Sequence, residues 1–186
     1  NDTEKRNRKG GNVMAAHVKV DFSEFNDFMD KVRRAGKENE FQKELAVFME
    51  GIADQFLIYV QDQIIKRKVV DTRLLLNSFQ KSTDGNVYTI SDNGMTIEVG
   101  TNVEYASYVN KGHHLNPAGV NTRFVPGYWK GDRFIYDPGA KTGMMLKQKF
   151  IEASHYFDHA IEDIEKFIPT SMNARVEEWS KRYFGL

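Results

Sequence analysis

The chain has 186 residues, 40% of them apolar, enough for one core with an appendage and too little for two full domains. Its 26 lysines and arginines equal its 26 aspartates and glutamates, so no global field recruits nucleic acid or an anionic membrane. Without cysteine it has no disulfide, thiolate nucleophile or sulfur-ligated zinc, and no apolar run approaches the ~20 residues of a bilayer span. This reads as a soluble protein of a reducing cytoplasm, with no export signal and no membrane partner.

Residues 1–13 (NDTEKRNRKGGNV) are too polar to hold a core, and read as an N-terminal extension pinned by neighbouring subunits; Met14 fits a natural start. Phe22, Phe25, Phe28, Met29 and Val32 then recur at helical spacing, with Asp21 and Glu24 placed like a capping box and Gly36 as a stop. A longer stripe (Phe41, Leu45, Phe48, Ile52, Phe56, Tyr59, Ile64) predicts an amphipathic helix from about Asn39 to Lys66. Asp71 and Thr72 offer caps for a short turn through Leu74, Leu75 and Leu76. Capping explains this pair more simply than carboxylate catalysis does.

Strands are expected at Val87 to Ser91 and Met95 to Val99 around Asp92-Asn93-Gly94, with Tyr88 and Ile90 sharing a face with Ile97 and Val99. Gly100 to Lys111 should turn or form a short helix, whose Tyr105 and Tyr108 would pack on Leu75 or the first hairpin. His113 to Asn121 reads as an exposed loop, followed by a second hairpin, Phe124 to Trp129 and Arg133 to Tyr136, about Lys130-Gly131-Asp132. From Gly143, helical spacing returns through Leu146, Phe150, Ala153, Phe157, Ile161, Ile164 and Ile168. Pro169 should end that helix, and Met172, Val176, Trp179 and Tyr183 should line a separate one.

Segregated strands and helices give an α+β class: an antiparallel sheet of about four strands packed against two long helices, with N- and C-terminal extensions. The expected division is 1–13 as extension, 14–168 as the domain and 169–186 as a helical arm.

Two blocks of sequence carry a resemblance. Val70-Asp71-Thr72 precedes Leu75, Asn77 and Ser78, and Val99-Gly100-Thr101-Asn102-Val103-Glu104-Tyr105-Ala106-Ser107-Tyr108-Val109-Asn110-Lys111-Gly112 follows. Together they resemble the small tail-completion, or head-tail joining, proteins typified by gene product ten of the lambdoid phage HK97. Family-motif positions here are Asp71, Thr72, Ser78, Gly100, Tyr105, Tyr108 and Gly112, and Arg73 stands where that family carries the glycine of a tight turn. The resemblance runs roughly from Phe41 to Ile168. It implies a structural protein of a virion or phage-tail-like particle, assembled in the bacterial host cytoplasm, and no enzyme. Its partners would be copies of itself in a ring, expected as a hexamer, with the tail tube or tail terminator and neck or connector proteins, and DNA in the channel.

Within that reading the interaction elements are the lead segment, the His113 to Asn121 loop and the final helix. Interface candidates are Trp179, Tyr183, Val176, His113, His114, Tyr128 and Trp129; the rival for Trp179 is its own core, and for Trp129 the sheet core. No cofactor is expected. His155 and His159 stand at i, i+4, but the general-base glutamate of a zinc protease motif is missing between them and no third ligand follows, so no metal is assigned. No nucleophile elbow or phosphate-binding glycine loop occurs, and Glu162, Asp163 and Glu165 read as a solvated helix face. The alternative function is a nucleic-acid-binding module using Lys5, Arg6, Arg8, Lys9 and Lys66-Arg67-Lys68.

Overall fold

A computed structural model describes residues 14–15, 23–69, 73–91 and 96–185. In chain order its elements are β1 (Met14–Ala15), α1 (Ser23–Arg34), α2 (Glu38–Lys66), α3 (Leu74–Asn77), β2 (Asn86–Ser91), β3 (Thr96–Thr101), α4 (Ala106–Lys111), β4 (His113–His114), β5 (Thr122–Lys130), β6 (Arg133–Tyr136), β7 (Gly143–Lys147), β8 (Phe150–Ile151) and α5 (Tyr156–Phe184). They form two compact units: residues up to 106 together with those from 155 onward, and residues 107–154. The 1–13 extension, the Asp21 cap, Asp71, Thr72 and the Asp92-Asn93-Gly94 turn lie outside the described residues.

The first unit is built on α2 and α5, each 29 residues long. Phe41, Leu45, Phe48, Phe56, Leu57, Val60 and Ile64 bury one side of α2, as their spacing dictates. Contacts run in opposite order along the pair: Phe41 meets Trp179, Tyr59 meets Phe167, and Gln63 donates to Asp163 Oδ2 at 2.8 Å. The two helices are therefore antiparallel. At one end α1 closes the core, where Phe28, Val32, Phe41, Leu45, Phe48, Met172 and Trp179 cluster. Each such aromatic contributes about 1.5–3 kcal/mol by leaving water. Gly36, at φ +66, ends α1 as its position suggests.

A three-stranded antiparallel sheet, order β1-β3-β2, completes this unit. Its register sets Tyr88 opposite Val99 and Ile90 opposite Ile97, the pairing that alternation predicts.

The α+β class is as expected, but the strands divide among three small sheets instead of joining in one of four: the first, a β4-β8 pair, and a second three-stranded sheet in the order β6-β5-β7. Two further expectations fail together. Residues 143–147 and 150–151 are strands, and helix begins only at Tyr156, so Leu146, Phe150 and Ala153 mimicked a helical stripe. Met144 and Leu146 instead alternate with Met145 and Lys147 along β7, and pairing with β5 decides the matter. At the other end, α5 runs unbroken through Pro169, so residues 169–186 are the second half of a long helix and not a separate arm. The proline removes one backbone donor at a cost of about 3 kcal/mol, and burial of Ile168, Met172 and Trp179 on both sides offsets it.

Candidate interaction surface

The motif positions first explain themselves as architecture. Arg73 takes the left-handed conformation, φ +62, in which glycine would be unstrained. It leads into α3, after which Ser78 is fully buried at the end of β3. There Val103 N–H donates to Thr101 Oγ1 at 3.1 Å, Thr101 Oγ1 donates to Ser78 Oγ at 2.8 Å, and Ser78 Oγ donates to the Leu75 carbonyl at 2.8 Å. Asn86 Nδ2 donates to the Ser78 carbonyl at 3.0 Å. Three donors in series satisfy a buried polar chain and fasten one motif block to the other. Gly100 is buried in β3 beside this chain, opposite Val87. Beyond it, fully buried Tyr156 donates to the Ala106 carbonyl at 3.4 Å at the start of α4, and burial pushes its phenol pKa well up.

The second unit begins with a tight approach. Gly112 has φ +73, and a Cβ there would lie 2.6 Å from the Ile151 carbonyl oxygen and 2.8 Å from the Phe150 ring. Only glycine lets β4 pair with β8, His113 opposite Ile151 and His114 opposite Phe150. The expected exposed loop is anchored at Asn116, 3% exposed, which donates to the Leu146 carbonyl and accepts from Gln148. Pro117, Ala118 and Gly119 remain exposed.

The β6-β5-β7 sheet leaves large apolar side chains in water on both faces. Lys130 pairs with Arg133 across Gly131-Asp132, so the second hairpin stands where its turn residues place it. The rings of Phe134 and Phe124 cover Gly127 and Gly143, where any Cβ would collide with backbone. Along one face stand Phe124, Tyr128 and Met145, 51%, 49% and 59% exposed; along the other stand Trp129 and Tyr136, 59% and 63% exposed, with Phe134 against Trp129 at 5.3 Å. Isolated exposed apolar residues are ordinary, but so many rings on one small sheet make it the candidate interaction surface.

Placement of the other expected residues divides them. His113 and His114 lie on β4, their rings edge-on to Tyr108 and Phe150 at 5.7 and 5.1 Å. Tyr128 and Trp129 are on the exposed sheet. Trp179 is not offered to a neighbour: at 1% exposure it packs against Phe28, Phe41 and Phe48, and Val176 and Tyr183 flank the same core. Tyr105 and Tyr108, expected to pack, are 37% and 59% exposed: Tyr105 precedes α4, and α4 buries Ala106 and Asn110 and leaves Tyr108 outward. Phe124, Tyr136, Met145 and Phe150 escaped notice as surface residues. Their signal was apolar residues at both parities of β5 (Phe124, Val125, Tyr128, Trp129), which a half-buried strand does not show.

The histidines of α5 pair with carboxylates, His155 with Asp158 at 2.9 Å and His159 with Glu162 at 3.0 Å. Among the described residues no three metal-ligating side chains converge, and no helix is long and apolar enough to cross a membrane. Of the basic run, Arg67 donates to Gln63 Oε1, while Lys66 and Lys68 are exposed.

Residues 26–112 match the family model described as "Bacteriophage HK97-gp10, putative tail-component". An uncharacterized protein, YqbI, of Bacillus subtilis (strain 168) is 38% identical over 159 residues, 84% of this chain and 93% of that protein. XkdI, a protein of the phage-like element PBSX of the same organism, is 38% identical over 142 residues, 76% of this chain and 87% of that protein. No solved structure gives a significant match.

Proposed function

The chain belongs to the HK97-gp10-like family of phage tail components, and from that premise we propose that it completes the tail at its head-proximal end, as a ring of identical subunits. At the coarser level it is a structural protein of a phage-type particle. The family's description as a tail component supports a structural role in place of a catalytic one.

The observation that carries the reading is the exposed, two-faced aromatic sheet of residues 107–154. Rings left in water on both faces suit a subunit with neighbours on two sides, as in a closed ring of head-to-tail contacts. The expected neighbours are further copies, a hexamer in the ring, with the tail tube or terminator on one side and neck or connector proteins on the other. Assembly would take place in the bacterial host cytoplasm, with DNA passing through the channel of a genome-carrying particle.

Antibody labelling of purified tail particles tests this reading. Label confined to the head-proximal end is the expected result. Label at the distal end, or particles lacking the protein, would contradict it, and binding to DNA that weakens steeply with salt would favour the nucleic-acid reading instead.

A further inference from the structure

The equality of charge over the whole chain hides a division. Residues 107–154 carry seven lysines and arginines against three acids, and the remaining residues carry nineteen against twenty-three. Within the basic unit three of the seven cations share one face. Strand register places Lys130 of β5, Arg133 of β6 and Lys147 of β7 on the face that carries Phe124, Tyr128 and Met145. The three cations stand at the ends of the paired strands with the apolar side chains between them, and all six side chains are exposed. The opposite face of the same strands carries Arg123 alone among apolar side chains.

An apolar centre with a rim of net positive charge, three cations against the exposed Asp132 of the β5-β6 turn, calls for a partner surface of the opposite sign. The chain carries such a surface on its acidic unit. Asp158, Glu162 and Glu165 stand at i, i+4 and i+7 of α5, all exposed, and His155 and His159 hold the first two by hydrogen bonds along the helix. We propose that the basic aromatic face of the β6-β5-β7 sheet docks on this acidic side of α5 in a second copy of the chain. The proposal rests on the ring reading above and adds the two patches that make each contact. Two different patches on one subunit give the heterologous contact from which a ring closes. A second copy is favoured over nucleic acid because the excess of acid needed to match the face is carried by the chain itself, and the rings lie between the cations instead of alternating with them.

Two full-length triple variants test it, Lys130→Glu/Arg133→Glu/Lys147→Glu and Asp158→Lys/Glu162→Lys/Glu165→Lys, each checked for native circular dichroism and followed by light scattering. The wild type is expected to associate. Each variant alone should be monomeric, with its dissociation constant raised at least tenfold, because like charges then face each other. An equimolar mixture should associate again, since each reversed patch meets its opposite on the other variant. Should a reversed variant lose its fold, Lys130→Gln/Arg133→Gln/Lys147→Gln removes the charge without reversal and is expected to weaken association, most at low salt.

If the variants associate as the wild type does, or the mixture fails to recover, the docking surface is wrong and the ring reading stands. If the wild type stays monomeric alone and with tail-tube protein, both fall. Retention of single-stranded DNA by the wild type and its loss in the Lys130 variant, with association unchanged, would overturn the proposal in favour of a nucleic-acid surface.

Discussion

Glycine at position 112 meets two demands that no other residue meets together: a backbone in the left-handed region, and no atom where the Ile151 carbonyl stands. Gly112→Ala is therefore expected to cost about 2–4 kcal/mol, the sum of backbone strain and overpacking, read from the denaturant midpoint. Arg73→Gly should move the other way, stabilising by up to about 1 kcal/mol, because Arg73 already occupies the conformation glycine prefers. At Thr101, replacement by valine keeps the shape and removes the acceptor for Val103 N–H, for an expected loss of about 1–3 kcal/mol. A neutral Thr101→Val would show that the buried hydroxyl chain does not hold the two motif blocks together.

At the scale of elements, the final turns of α5 bear weight. Deleting residues 172–186 uncovers Phe28, Phe41 and Phe48, so the truncated chain is expected to lose cooperative unfolding of α1 and the start of α2. Trp179→Ala should cost about 3–5 kcal/mol by itself. Tyrosine titration gives a second test on the same helix. Burial, aided by a hydrogen bond to Glu44, pushes the Tyr183 phenol up to about 12, and burial also raises Tyr156. Because the folded state holds these protons more tightly than the unfolded state, their contribution is complete below about pH 10 and is lost as pH rises toward 12. Stability should fall across that alkaline window, and Tyr183→Phe should reduce the slope.

The same elements show how far the sequence could be read. The stripes of α1 and α2 were legible because each buries one continuous side, and both hairpins because turn residues and alternation agree. β7 and β8 were not, since Leu146 and Phe150 are four apart by coincidence and only partners distant in sequence reveal strands of five and two residues. Pro169 misled for a related reason. Local chemistry argues for a break, and packing of α5 against α2 overrides it. Among site residues, Tyr128 and Trp129 could be picked out as aromatics near a turn. The exposure of Phe124 and Met145 depends on which strands flank β5.

At the scale of the whole molecule, the central proposal is that this tail component joins copies of itself. Balanced total charge, a basic unit bearing exposed rings and an acid-rich remainder support that proposal, since they supply the complementary surfaces a contact between copies would use. The mass of the full-length protein in solution, by light scattering with and without tail-tube protein, tests that claim most directly. A discrete closed oligomer, alone or on addition of tube protein, is the expected result. A monomer at every concentration, indifferent to the tube, would contradict it.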